Sequence, residues 1–244
     1  MSPRRTLATA GRVLSQLRHD PRTLGLIFFV PCGLLILVKY VFQNQTATFN
    51  DIEPLMLGIF PLTVMFLVAS ITTLRERTTG TLDRLMSMPL SKLDFVLGYA
   101  MAFSLIALLQ AILASWVVIG LLKVPVAAGA GPMLVGAVTT AFLGTALGLF
   151  VSAFASSEFQ AVQFLPVFIF PQLLTCGLFV PREHMAKLLR WFADVMPMSY
   201  SVDAMKYVTS HAAWSQTLTK DFTIVIAVAF GVLILGAITI RRQD

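Results

Sequence analysis

An all-α membrane protein with six transmembrane helices is the fold that this sequence predicts, on three observations. Of its 244 residues 57% are hydrophobic and only 12% charged, against about 25% charged in an ordinary soluble domain, and the mean hydropathy is +0.82. The acidic and basic residues are gathered into short clusters that leave six long uncharged stretches. A hydrocarbon core about 30 Å thick needs about 20 apolar residues per helical span, so six such stretches leave little chain for a separate soluble domain. Those stretches also lack the apolar–polar alternation that a membrane β-barrel requires.

The uncharged stretches are Thr23–Val38, Pro54–Leu74, Phe95–Leu122, Val124–Ser157, Phe159–Pro181 and Phe222–Ile240. The first extends past Lys39 to Phe42, because a lysine near a helix end can snorkel to the interface. The fourth is too long for one span. Pro125, Gly129, Gly131 and Pro132 make its beginning a turn, so its helix is expected at 133–154. The expected spans are therefore 23–42, 54–74, 95–122, 133–154, 159–180 and 222–240. The first is read as a retained helix rather than a signal peptide, since no small-residue cleavage site follows it. Cys32 and Cys176 both sit in apolar stretches, which argues against a disulfide framework.

The distribution of Lys and Arg sets the orientation. With the N-terminus cytoplasmic, eleven of the 18 basic residues fall on the inner side. Five of the remaining seven lie in one long outer segment, Arg182–Asp221. Both termini are accordingly expected inside. The net charge of +6 reads as basic residues flanking spans rather than as a nucleic-acid surface, because no dense basic run occurs.

Two segments outside the spans have helical periodicity. Over Thr6–Arg18, Leu7, Ala10, Leu14 and Leu17 share one face, with Arg12 and Arg18 off it, as in an amphipathic helix lying on the inner membrane surface. Over Pro181–Phe192, Pro181 suits a first helical position. Met185, Leu188, Leu189 and Phe192 follow the i, i+3, i+4, i+7 pattern, and Glu183 and Lys187 form an i, i+4 pair. That helix is expected at the outer interface before the last span.

The charged inner loop from Leu74 to Leu93 is patterned. Gly80 and Thr81 make a break and a helix start; Leu82, Leu85 and Met86 then share a face, with Asp83 and Arg84 off it. Pro89 disfavours helix at Met88 and closes the segment. Ser91 with Asp94 resembles a capping box for the third span. The loop is thus either a short amphipathic helix with a function of its own or a tight connector hugging the headgroups.

Taken together, Glu76, Gly80, Thr81, Leu82, Asp83, Leu85, Pro89, Leu90 and Ser91 resemble the coupling-helix pattern of type 2 ABC transporter permeases, the membrane subunits of bacterial exporters of drugs, lipids and polysaccharides. The likeness continues in Arg18–Leu24 before the first span, in Ala161, Pro166, Pro171 and Gly177–Pro181 of the fifth, and in Trp191–Lys206 with Pro197, Tyr200 and Asp203. Permeases of the daunorubicin-resistance and nodulation-factor export type are the nearest group. The chain departs from the family at Met196-Pro197, where Asn-Pro is common, at Lys206, often Arg, and at Asp83, often Glu.

The resemblance implies that residues 1–244 form a single permease domain in a bacterial inner membrane. It implies that the loop helix docks on a separate ATP-binding subunit. Leu82, Leu85 and Met86 would be the docked face, Glu76, Asp83 and Arg84 its polar contacts, and Gly80, Thr81 and Pro89 its boundaries. A second permease copy, identical or similar, would complete the bundle. The chain itself would hold no cofactor, with ATP and magnesium in the partner subunit, and would move a drug-like, lipid or glycolipid substrate outward. A non-transporting scaffold that binds a cytoplasmic partner through residues 75–92 is the alternative.

Polar and helix-breaking residues within the spans suggest a path. Gln163, Pro166, Pro171, Gln172 and Gly177 make the fifth span a kinked or broken element of the kind that lines transporter cavities; improved packing is the other reading. Gln110 is expected either to bond a neighbouring helix or to meet substrate. Gly136, Gly144 and Gly148 mark close helix packing within the chain or at a dimer interface. No paired carboxylate, metal-ligand spacing or G-x-x-x-x-G-K-[ST] phosphate loop occurs, and no Asp, Glu or His is expected deep in a span. The chain is accordingly not expected to be an enzyme.

Overall fold

The computed structural model describes residues 3–80 and 92–239. The regular elements among them are all helical: α1 (Pro3–Arg18), α2 (Pro21–Val41), α3 (Thr46–Thr78), α4 (Lys92–Trp116) with a π-helical extension (Val117–Leu121), α5 (Ala130–Ser152), α6 (Glu158–Phe168), α7 (Phe170–Thr175), a 3₁₀ turn (Arg182–His184), α8 (Lys187–Val195), α9 (Pro197–Ser210) and α10 (Gln216–Thr239). Five of them, α2, α3, α4 with its extension, α5 and α10, are long and apolar enough to cross a membrane.

Helix α5 is the centre of the bundle, packed against α3, α4 and α10. Its glycines make the tightest approach. A Cβ on Gly144 would stand 2.2 Å from the Leu62 carbonyl oxygen, and one on Gly148 would stand 2.4 Å from that of Phe66. The two backbones therefore touch where a side chain would hold them apart. Gly136 likewise admits the Met205 side chain of α9. The small-residue spacing in α5 thus serves packing within the chain, not a dimer interface. Gln110 takes the first of its two readings, its Nε2 donating to the Ile27 carbonyl of α2 at 2.9 Å.

Several expectations need correction. The helix that carries the second expected span begins earlier than residue 54: α3 has 33 residues, about 50 Å at 1.5 Å per residue. It carries Glu53 inside the bundle, buried, with neither carboxylate oxygen hydrogen-bonded. An acid does lie within a long apolar helix, because the helix runs straight through Pro54, and Pro54 and Pro61 merely interrupt its amide ladder.

The fifth span is not one helix over 159–180. It is interrupted between α6 and α7, where Pro171 in the first turn of α7 has no amide to donate. Ile169 nevertheless keeps helical dihedrals, its amide donating to the Leu165 carbonyl and its carbonyl accepting from the Leu173 amide, both at 2.8 Å, and the helix ends at Thr175. The chain then leaves helical geometry at Gly177, whose φ is +88°. Nor is the outer helix continuous over 181–192. Met185 and Ala186 are extended, which places Glu183 and Lys187 in different elements. The apolar set Leu188, Leu189 and Phe192 stays together on α8.

Helix α1 packs a face shifted from the one its leucines mark. Thr6, Thr9, Ala10, Val13 and Leu17 are buried and Leu14 is half-buried against the core, whereas Leu7 is 58% exposed. Gly98 of α4 sits against the first turns of that face. A Cβ there would lie 2.6 Å from the Thr9 Cβ and 3.0 Å from the Thr6 carbonyl oxygen, so Thr6 and Thr9 nest against α4 and Leu7 is left facing outward.

Candidate coupling site and apolar cleft

The α1 end of α3 closes on three consecutive charged residues, Arg75, Glu76 and Arg77. Successive helical residues are rotated by about 100°, so their side chains leave in three directions and reach three different elements. Arg75 forks onto Glu158 in the first turn of α6, its Nε to Oε1 at 2.6 Å and its Nη2 to Oε2 at 3.1 Å. These bonds hold the Glu158 carboxyl below its ordinary range. Both side chains are exposed, so the pair fixes position more than it stabilises. Arg77 turns the other way, and its Nη1 donates to the Ser152 carbonyl at the last residue of α5, where a cation also suits the negative end of the helix dipole.

Glu76, between them, faces inward to α1. Its two oxygens accept from Arg12 Nη1 at 3.2 Å each, and Gln16 Nε2 adds a bond of 2.9 Å to Oε1. The second Arg12 nitrogen, Nη2, donates to the Tyr99 hydroxyl of α4 at 2.6 Å, and the guanidinium carbon lies 5.7 Å from the Tyr99 ring centroid. Thr6 Oγ1 donates to Asp94 of α4 at 3.3 Å. Three side chains of α1 thus tie it to α3 and α4, and Glu76 is only 7% exposed. At the far end of α1, Asp20 caps α2. Thr23 donates both its hydroxyl, at 2.5 Å, and its amide, at 3.1 Å, to the carboxylate. Those bonds, the hydroxyl's foremost, lower the Asp20 pKa.

Beyond Arg77 the helix ends at Thr79 and Gly80. The Thr79 amide donates to the Arg75 carbonyl at 2.9 Å, and Gly80 takes φ +70°, the left-handed geometry of a helix C-terminal glycine. No atom of the described residues lies within 4 Å of where its Cβ would stand, and the backbone geometry by itself calls for glycine there. Thr81, Leu82, Asp83, Arg84, Leu85, Met86 and Pro89 lie outside the described residues. Of the expected loop contacts, Glu76 and Gly80 are therefore the two that the structure places. A cavity of about 240 Å³ opens beside them, lined by Gln16, Asp20, Arg75, Glu76 and Thr79.

The broken fifth segment borders an apolar cleft of about 740 Å³, walled by Pro166, Phe170, Pro171 and Leu174 on one side and by Met185 and Phe192 on the other. Gln163 is exposed on α6, one turn before Pro166. Gln172 and Gly177 are buried and point away from the cleft lining. Gln172 bonds the Phe168 carbonyl through Nε2 at 2.8 Å and accepts from the Met198 amide of α9 at 3.4 Å. The Gly177 carbonyl accepts from Lys206 Nζ at 2.6 Å, and burial lowers the pKa of that ammonium. Arg182 pairs with Asp194 of α8 at 3.1 Å and with Asp203 of α9, and its guanidinium lies over the Tyr200 ring. The residues predicted as one path therefore divide: the two prolines shape the cleft, and Gln172 and Gly177 hold its wall to α9.

The sequence reading missed Arg12, Gln16, Arg75, Arg77, Tyr99 and Glu158. The i, i+4 spacing of Arg12 and Gln16, opposite the leucine edge of α1, was the available sign, but nothing local announces a partner some sixty residues along the chain.

The profile of ABC-2 type transporters matches residues 5–209, from α1 to α9. The chain belongs to this family. ABC-2 relatives include the probable multidrug ABC transporter permease YbhR of Escherichia coli (strain K12), 27% identical over 67% of this chain and 47% of that one. The inner membrane transport permease YhhJ of Escherichia coli (strain K12) is 21% identical over 69% and 46% respectively. ABC transporter G family member 20 of Dictyostelium discoideum is 25% identical over 68% of this chain and 23% of its own length. The match thus spans under half the length of each of these relatives. This is the type 2 ABC permease family that the sequence resembles, and the matched range holds both the charged cluster on α3 and the apolar cleft.

Proposed function

We propose that this chain is the permease subunit of an ATP-driven exporter in a bacterial inner membrane, coupled through its inner loop to a separate ATP-binding subunit that holds ATP and magnesium. The observation that carries the reading is the Arg75–Glu76–Arg77 cluster, bonded to α6, α1 and α5 immediately before residues 81–91. A push on that loop enters the bundle at a point where four helices are tied together, which suits transmission of a rigid-body motion. Glu76 acts in this scheme by holding α1, and the direct contacts fall to Leu82, Asp83, Arg84, Leu85 and Met86, with Gly80, Thr81 and Pro89 shaping the loop.

The apolar cleft beside Pro166 and Pro171 suits an amphipathic, drug-like or lipid-like substrate, and the multidrug designation of one relative supports the same class. Gln163 is exposed close to its rim, and Gln172 and Gly177 fix its wall. Phe170, Leu174, Val180 and Leu189 of its lining are exposed, so a second permease copy facing this side would enclose a path between two clefts.

Affinity purification of the tagged full chain from its native membrane tests the proposal. Stoichiometric recovery of a Walker-motif ATPase, lost on Leu82→Asp while the permease stays inserted, is the expected result. Recovery of the chain without any ATPase across mild detergents would overturn it in favour of a scaffold.

A further inference from the structure

At the end of the bundle opposite α1, a cavity of about 320 Å³ lies between the last turn of α2, the first turns of α3 and the end of the π-helical extension of α4. Its polar wall is Lys39, Gln43, Thr46, Asn50 and Lys123, and its apolar floor includes Phe49 and Leu122, both buried. None of the five polar side chains makes a hydrogen bond or ion pair with another described residue. Neither Asp51 nor Glu53 of α3 belongs to the lining, although the buried Glu53 carboxyl lies near enough to Lys39 to feel its charge. Two cations therefore converge on one concavity with three neutral hydrogen-bonding groups and no carboxylate among them, which is the chemistry of an anion receptor.

The backbone is committed to this arrangement. Lys123 has φ +56°, the one non-glycine residue with positive φ among those described. A β-carbon in that region is strained, so a sequence selected only for chain reversal would place glycine there. The lysine instead directs its side chain to the same cavity as Lys39. Thr46 opens the first turn of α3, which has no side-chain cap at Gln45, so the positive end of that helix adds to the field.

The surroundings indicate how the anion arrives. Tyr40 at the mouth is 70% exposed, and Leu37, Leu121 and Trp116 are exposed along α2 and α4 below it. An aromatic rim above an apolar flank is the pattern of a membrane–water interface, the depth at which lipid phosphates lie. We propose that this cavity binds the phosphate of an anionic lipid, one whose headgroup has no cationic group of its own beside that phosphate and whose acyl chains lie along that flank. The inference needs only membrane embedding of the bundle and stands apart from the coupling proposal.

The full chain is purified, stripped of lipid and offered phosphatidylglycerol or phosphatidylcholine in equal amounts, with retention read by native mass spectrometry. Inorganic phosphate alone is offered in a parallel thermal-melting series. Preferential retention of phosphatidylglycerol is expected. It should weaken roughly twofold to fivefold for each of Lys39→Gln and Lys123→Gln, the scale of a single partly exposed charge. Lys123→Gly relieves the backbone strain while removing the cation, so it should retain less lipid yet melt no lower than the parent protein, which separates lost binding from lost folding. Stabilisation by inorganic phosphate equal to that by phosphatidylglycerol, and abolished by the same variants, would uphold the receptor with a free anion as its source. Equal retention of the two lipids, or unchanged phosphatidylglycerol retention in the double variant and in Lys123→Gly, would overturn the proposal.

Discussion

Arg12 of α1 donates one guanidinium nitrogen to both carboxylate oxygens of Glu76 at 3.2 Å and the other to the Tyr99 hydroxyl at 2.6 Å. The side chain of Glu76 is 8% exposed and that of Arg12 29%, so removing either partner strands the other where water reaches it poorly. Arg12→Ala is expected to lower stability by about 2–3 kcal/mol, the scale of a charged hydrogen bond withdrawn from a shielded partner. A double-mutant cycle with Glu76→Gln should give a coupling energy of about 1 kcal/mol or more. Thermal melting of the detergent-purified variants checks both values, and additive effects would mean that the two residues do not act together.

The seam between α3 and α5 makes a second prediction. Gly144→Ala and Gly148→Ala each press a methyl group into a backbone carbonyl, and each should cost about 3 kcal/mol or more, at the upper end for overpacking. Gly231→Ala on α10 meets nothing within 4 Å and should be neutral or slightly stabilising through helix propensity. Folded yield and melting temperature of the three variants, measured side by side, make the comparison.

Gly80 poses the opposite case. Space is open around it, but its φ is +70°. Gly80→Ala should therefore cost about 1 kcal/mol from the backbone alone. Gly80→Asn should cost less, because Asn tolerates the left-handed region. An Ala variant as stable as the parent would mean that α3 ends differently.

The Asp20 cap gives a prediction in pH. Its carboxyl is held below the ordinary value by the Thr23 hydroxyl and amide, so the folded pKa lies below the unfolded one. The contribution is then fully present above the unfolded pKa of about 3.9 and fades as pH falls through the folded pKa. Asp20→Ala should cost about 1 kcal/mol near neutrality and much less once the pH has fallen below the folded pKa. Melting curves across that range for parent and variant should converge; a constant gap would exclude the cap as the cause.

The spans were legible where charge punctuates apolar sequence, so α2, α4, α5 and α10 fall close to their expected positions. Legibility failed at Glu53 and Asp51, whose charges mark a loop by composition although the helix continues through them. It failed again at Met185 and Ala186, where a periodic apolar pattern conceals two extended residues. The polar cluster on α3 was half visible. Glu76 and Gly80 carry a family pattern, but the partners of Arg75, Glu76 and Arg77 come from elements far away in the chain, and spacing along a sequence holds no record of them. Leu7 shows the same limit: its spacing puts it with Ala10, Leu14 and Leu17, but the nesting of Thr6 and Thr9 on Gly98 shifts the buried face away from it.

Carbonyl-to-glycine contact along α3 and α5 leaves no layer of side chains between the two helices, and side-chain layers are where helices slide and change rotamer. A pair without one behaves as a single girder. A rearrangement of this protein would therefore carry α3 and α5 as one body and fall on the connections outside it, such as the extended residues between the 3₁₀ turn and α8. Met185 is one of these and also lines the cleft, so a shift there would change the width of the cleft while the girder stays whole.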